Sequence, residues 1–160
     1  MTAQNTSWID KHGIDALRIS VGIVFLWFGV LKFFSDASPA EQIAGDTLSL
    51  VTLHLFPEKI LMPLLAILEC VIGIGLLFRK AVRYVIPLFY FQMAGAILPL
   101  VLFPDKCWSG LLVPTLLGQY IIKNCVLISA AIVLGVVANG GELIADPAIA
   151  QKAKRKEDNS

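Results

Sequence analysis

Lys32, Glu69, Gln92, Gln119 and Lys123 are polar side chains inside otherwise apolar stretches of this chain. Glu69 falls near the middle of K-I-L-M-P-L-L-A-I-L-E-C-V-I-G-I-G-L-L-F, ten residues after Lys59. A charged carboxylate at that depth in a bilayer costs at least ~2.5 kcal/mol unless it is paired or protonated. Ala66 and Gly73, three residues before and four after, share its helical face, so the side that lets neighbours approach also carries the acid. Lys123 lies five residues into G-Q-Y-I-I-K-N-C-V-L-I-S-A-A-I-V-L-G-V-V. If the two runs are antiparallel, Glu69 and Lys123 differ in depth by ~7.5 Å, most of which a snorkelling lysine covers. A Glu69–Lys123 pair is therefore expected, with Lys32 as a second cationic neighbour and Gln92 and Gln119 supplying amides. Such a pocket can exchange a proton, hydrogen-bond a quinone carbonyl or hold an anion. Equally, it can be a buried network that fixes helix register, each bond contributing about 0.6 kcal/mol. Residue type alone leaves both readings open.

The first apolar run, Asp15–Phe34, carries a stripe of its own. Arg18, Gly22, Phe25, Gly29 and Lys32 recur at intervals of 4, 3, 4 and 3 and so share one helical face. A cation near each end of a glycine-bearing face predicts that this face meets protein. Gly22, Gly29 and Gly73 are the expected helix-packing residues. Arg18 is expected to be an interface anchor, too far from Glu69 to be its first partner.

Four such runs must position these groups, at about 15–34, 59–78, 82–103 and 118–137. Each is ~20 residues, the length that spans ~30 Å of hydrocarbon. The 160 residues are 57% hydrophobic and 16% charged, against ~25% charged in ordinary soluble domains, and the mean hydropathy is +0.76. The expected fold is all-α, an integral membrane four-helix bundle. It divides into an N-terminal segment (1–14), the four-span domain (15–137) and a charged tail (138–160). Lys11, then Arg79, Lys80 and Arg83, then Lys152, Lys154, Arg155 and Lys156 place both termini on the cytoplasmic side. The first run reads as a retained span rather than a cleaved signal, because Lys32 interrupts its end and Pro39 disfavours cleavage in D-A-S-P-A. Asn5-Thr6-Ser7 matches a glycosylation sequon but falls on the cytoplasmic side.

Two longer connections then lie outside. In Ser35–Glu58, the helical spacing of Ala44, Leu48, Val51 and Leu55 predicts a short amphipathic or re-entrant helix, or a cap over the bundle. Pro104–Leu117 reads as a loop with Trp108 at the interface. Cys70 and Cys125 are expected as small packing residues and Cys107 as exposed in a loop. Three unpaired cysteines and two histidines offer no disulfide framework and no metal site. A net charge of +1 gives no field for nucleic acid. No cofactor motif and no self-contained catalytic motif is evident.

R-I-S-V-G-I-V-F-L-W-F-G-V-L-K-F-F at Arg18–Phe34 resembles the opening helix of the DoxX family. L-E-C-V-I-G-I-G-L-L at Leu68–Leu77 resembles its second helix, and G-Q-Y-I-I-K-N-C-V-L-I-S-A at Gly118–Ala130 is similar to the fourth helix of a DoxX-like branch. The resemblance runs from Ile14 to Val137. It implies a small bacterial inner-membrane bundle whose recurring polar positions match Arg18, Lys32, Glu69 and Lys123. Some members of that family are subunits of a thiosulfate:quinone oxidoreductase, and others are tied to oxidative or chlorine stress. The resemblance thus implies an accessory, quinone-linked membrane subunit, with quinone as the cofactor and a membrane or soluble redox protein, or a second copy of the chain, as partner. A small transporter for an anion or weak acid and a structural subunit of a larger complex are the alternatives.

Overall fold

The computed structural model describes residues 8–34, 41–141 and 143. The sequon, the D-A-S-P-A stretch and the basic tail lie outside the described residues. Eight α-helices and one small hairpin form the described fold: α1 (Trp8–Leu31), α2 (Glu41–Val51), α3 (Glu58–Leu77), α4 (Val82–Ile97), α5 (Pro99–Leu102), α6 (Pro104–Cys107), β1 (Trp108–Gly110), β2 (Val113–Pro114), α7 (Leu116–Ile122) and α8 (Asn124–Ala138), with a 3₁₀ turn over Arg79–Ala81.

Four segments are long and apolar enough to cross a bilayer: His12–Leu31, Glu58–Leu77, Arg79–Leu102 and Leu116–Ala138. They match the four sequence-predicted spans to within a few residues. The first begins earlier than expected, because α1 already runs through the polar N-terminal segment from Trp8. Pro63 and Pro87 lie within helices, which membrane helices tolerate where neighbours or local adjustment satisfy the freed backbone groups. Pro99 separates α4 from α5, where a proline at the first helical position loses no needed N–H.

α1 packs most extensively on α3, α3 on α4, and α4 on α8, with a lighter seam between α8 and α1 closing the ring. The centre is a cluster of Val21, Phe25, Ile72, Leu76, Val85, Ile86, Phe89, Met93, Ala131 and Leu134, among others. Phe25 and Phe89 meet edge to face with centroids 4.7 Å apart, the geometry that aromatic quadrupoles favour. The outward faces are apolar too: Trp27, Phe91 and Val126 are strongly exposed, as expected of side chains solvated by lipid.

The α1–α3 contact depends on the predicted glycines. A Cβ on Gly73 would lie 2.5 Å from the Leu26 nitrogen and 2.8 Å from the Gly22 oxygen. One on Gly22 would lie 3.1 Å from the Gly73 oxygen, and one on Gly29 would lie 2.9 Å from both N and Sγ of Cys70. The two backbones are therefore in near contact along the whole predicted stripe, the small-residue packing that substitutes for hydrophobic drive in lipid.

Both long connections gather at one end of the bundle. α2 packs on α3 and α5, so the expected helix in the first connection forms, but rotated and shorter than the spacing predicted. Ile43, Gly45 and Thr47 are its buried residues, whereas Val51 is exposed and Leu55 lies beyond its end. The chain leaves α2 through Leu53 and His54 in left-handed backbone, φ 53° and 57°. The second connection is more ordered than the loop expected from sequence. Trp108 pairs with Pro114 in an antiparallel hairpin, and the Trp108 indole N–H donates to the Leu100 carbonyl at 3.0 Å. Thr115 caps α7 by accepting from the Gly118 N–H at 3.1 Å and donates to the Lys106 carbonyl at 2.7 Å.

Candidate functional site: a buried acid–base centre

The close approach of α1 to α3 brings Lys32 to Glu69. Lys32 is the first residue beyond α1, one turn after Gly29, and the absent Gly29 side chain is what lets α1 lie against Glu69 and Cys70. The Lys32 Nζ donates to Glu69 Oε2 at 2.6 Å. From α4, Gln92 Nε2 donates to Glu69 Oε1 at 2.8 Å. Both carboxylate oxygens are thus engaged by groups from two other helices. The side chains of Lys32 and Glu69 retain 9% and 10% exposure, and Gln92 is equally buried. A charge-assisted pair with a third donor compensates the carboxylate for lost hydration more fully than a single contact would.

Among the five polar residues singled out in the sequence, the structure brings together Lys32, Glu69 and Gln92. It does not bring Lys123 or Gln119 to them. Both are exposed on the surface of the fourth span, and Gln119 reaches only the Pro114 carbonyl at 3.5 Å. The depth argument for a Glu69–Lys123 pair fails on azimuth. Ile121 and Gly118 are the buried residues of α7, and a residue two places from Ile121 in either direction points ~200° away from it. Lys123 also marks a break, since α7 ends at Ile122 and α8 starts at Asn124.

Arg18 has a more specific place than an interface anchor. It is 9% exposed. Its guanidinium donates to the Leu77 carbonyl at 2.7 Å and to the Leu76 carbonyl, and it pairs with Asp15 at 3.3 Å. These carbonyls end α3, where the helix leaves acceptors unpaired and its dipole favours a cation. A basic residue on one helix that faces the C-terminus of the next is the pattern that could have revealed this role.

The cysteines also differ from expectation. Cys107 is buried rather than exposed, its Sγ–H directed at the Pro99 carbonyl at 3.3 Å. It is enclosed because Gly118 packs directly on its carbonyl oxygen. Burial pushes the Cys107 thiol pKa up, and the neighbouring Lys106 charge offsets this only in part. Cys125 is exposed instead of packed, and Cys70 is half-buried against Gly29. Among the described residues, no group of three His, Cys, Asp or Glu could hold a metal ion.

The model of the DoxX family matches residues 13–103. This stretch contains Arg18, the packing glycines, Lys32, Glu69 and Gln92, and stops before Gln119 and Lys123. No curated protein and no solved structure matches the chain. With more than half of its length matched, and with four helices of membrane-spanning length, the chain is a multi-pass membrane protein that belongs to the DoxX family.

Proposed function

We propose that this protein is an accessory membrane subunit of a quinone-linked redox assembly in the bacterial inner membrane, and that the Lys32–Glu69–Gln92 centre meets the quinone head group. The observation that supports this reading is the convergence of a carboxylate, an ammonium and an amide from three helices within an apolar bundle. An ionisable group within a span is costly enough to lean toward function. Its chemistry suits a quinone: Lys32 supplies donors for a carbonyl oxygen, and Glu69 can take up or release the proton that accompanies quinone reduction. The quinone itself comes from the family resemblance, and electrons would come from a partner protein.

The test is quinone content after mild extraction. The wild-type protein is expected to co-purify with quinone, and Glu69→Gln to lose most of it. Quinone absent from the wild type, or equally abundant in Glu69→Gln, would overturn the reading.

One observation favours a second reading, that of a structural subunit. Both Glu69 oxygens already have partners inside the bundle, which is also what a register-fixing network requires. On that reading Glu69→Gln lowers the stability of the assembly and leaves its quinone content unchanged.

A further inference from the structure

A polar concavity lies at the end of the bundle where the two long connections meet. Its volume is about 420 Å³, within the range of small-ligand sites. Asp46 of α2, Glu58 at the start of α3, and Lys106 of α6 supply its charges, and Leu50 and Phe103 its apolar wall. From this we propose that the cleft binds a phosphoethanolamine group, presented by an aminophospholipid of the adjoining leaflet. The proposal is independent of the quinone reading and uses none of its residues.

The depth of the cleft is the first argument. Glu58 is the first residue of the second span and Leu102 the last of the third, so residues 58 and 103 mark the boundary of the apolar slab. Lipid head groups occupy that level.

The charge pattern is the second. Two carboxylates and one ammonium line the cleft, so an anion alone is poorly matched, whereas a zwitterion meets both signs. Lys106 donates to Asp46 Oδ2 at 2.6 Å, and an ammonium has three donors, leaving two for a phosphate. His54 Nδ1 is 2.8 Å from Ser49 Oγ, which leaves Nε2 as a further polar contact. Among the described residues, Glu58 makes no ion pair, yet its carboxyl carbon lies 3.3 Å from where a Gly45 Cβ would stand. The carboxylate is therefore held against α2 with acceptor capacity left for a primary ammonium. Leu50 and Phe103 offer contact for the glycerol and first acyl carbons. This arrangement distinguishes ethanolamine from choline, because a quaternary ammonium has no N–H to donate to Glu58.

The test is native mass spectrometry of the full chain released from nanodiscs holding equal phosphatidylethanolamine and phosphatidylcholine of matched acyl chains. Retained phosphatidylethanolamine is expected to exceed phosphatidylcholine by about tenfold, the scale of one charge-assisted hydrogen bond. Glu58→Gln and Lys106→Met are each expected to abolish the preference. Both side chains are at the bundle surface, and unchanged helical circular dichroism and melting would confirm that the variants remain folded. If either variant fails this check, Glu58→Asp takes its place and is expected to keep at least half of the preference. Equal retention of the two lipids, or a preference that survives Glu58→Gln in a folded protein, would overturn the proposal. Saturable binding of soluble glycerophosphoethanolamine without any lipid preference would overturn its lipid source.

Discussion

Lys32, rather than the more deeply placed Lys123, meets Glu69 because a side chain's direction matters as much as its depth. Lys32 follows the last residue of α1 and its Nζ lies 2.6 Å from Glu69 Oε2, whereas Lys123 stands two residues round the helix from buried Ile121. Sequence reasoning could find the acid, the amide and two candidate cations. It could not choose between the cations, because rise per residue is readable from a sequence and the absolute rotation of a lone span is not. Arg18 illustrates the same limit, since its carbonyl partners on α3 have no sequence signature beyond their place at a helix end. At this scale the burial of Cys107 gives a direct prediction. Its raised thiol pKa lowers the thiolate fraction at neutral pH, and enclosure blocks access. Maleimide labelling of folded protein in detergent should therefore spare Cys107, rise as pH increases, and go to completion only on denaturation. Rapid labelling of Cys107 at neutral pH in the folded protein would contradict its placement.

At the scale of elements, glycine does what hydrophobic collapse does in water. Gly22, Gly29 and Gly73 bring α1 and α3 into backbone contact, and that contact delivers Lys32 to Glu69. Gly73→Ala places a methyl group against the Leu26 backbone and is expected to cost ~1–3 kcal/mol. Gly95→Ala, where a Cβ would meet nothing within 4 Å, should cost nothing and can gain up to ~1 kcal/mol from helix propensity. Reversible unfolding of the two variants in mixed micelles checks this. Equal stabilities would mean that the α1–α3 approach is looser than described. The four spans and the stripe on the first were legible because apolar length and 3.6-residue spacing are local signals. The α2 rotation was not, since Ile43 and Thr47 are buried by α3 and α5, which contribute nothing to the local pattern. The Trp108–Pro114 hairpin is too short for alternation to register, and the break at Lys123 carries no proline or glycine to announce it.

For the whole molecule, the polar centre is the point at which three of the four spans are tied. α1 supplies Lys32, α3 Glu69 and α4 Gln92, while the fourth span closes the ring through its packing on α4, where the Tyr90 hydroxyl donates to the Ala131 carbonyl at 3.2 Å, and a lighter seam to α1. The family match ends at residue 103, just as the third span ends, so the matched region is the part of the chain that builds this centre. On the proposed reading, the same tie that holds the bundle together presents proton-exchanging groups to a quinone. Everything in that reading depends on the partnership of Glu69 with Lys32. A double-mutant cycle on unfolding free energy in mixed micelles tests it most directly, using Glu69→Gln with Lys32→Met and, in parallel, Glu69→Gln with Lys123→Met. The account predicts a coupling of ~1–2 kcal/mol for the Lys32 cycle and additivity within ~0.5 kcal/mol for the Lys123 cycle. Coupling of Glu69 to Lys123, with additivity toward Lys32, would contradict it.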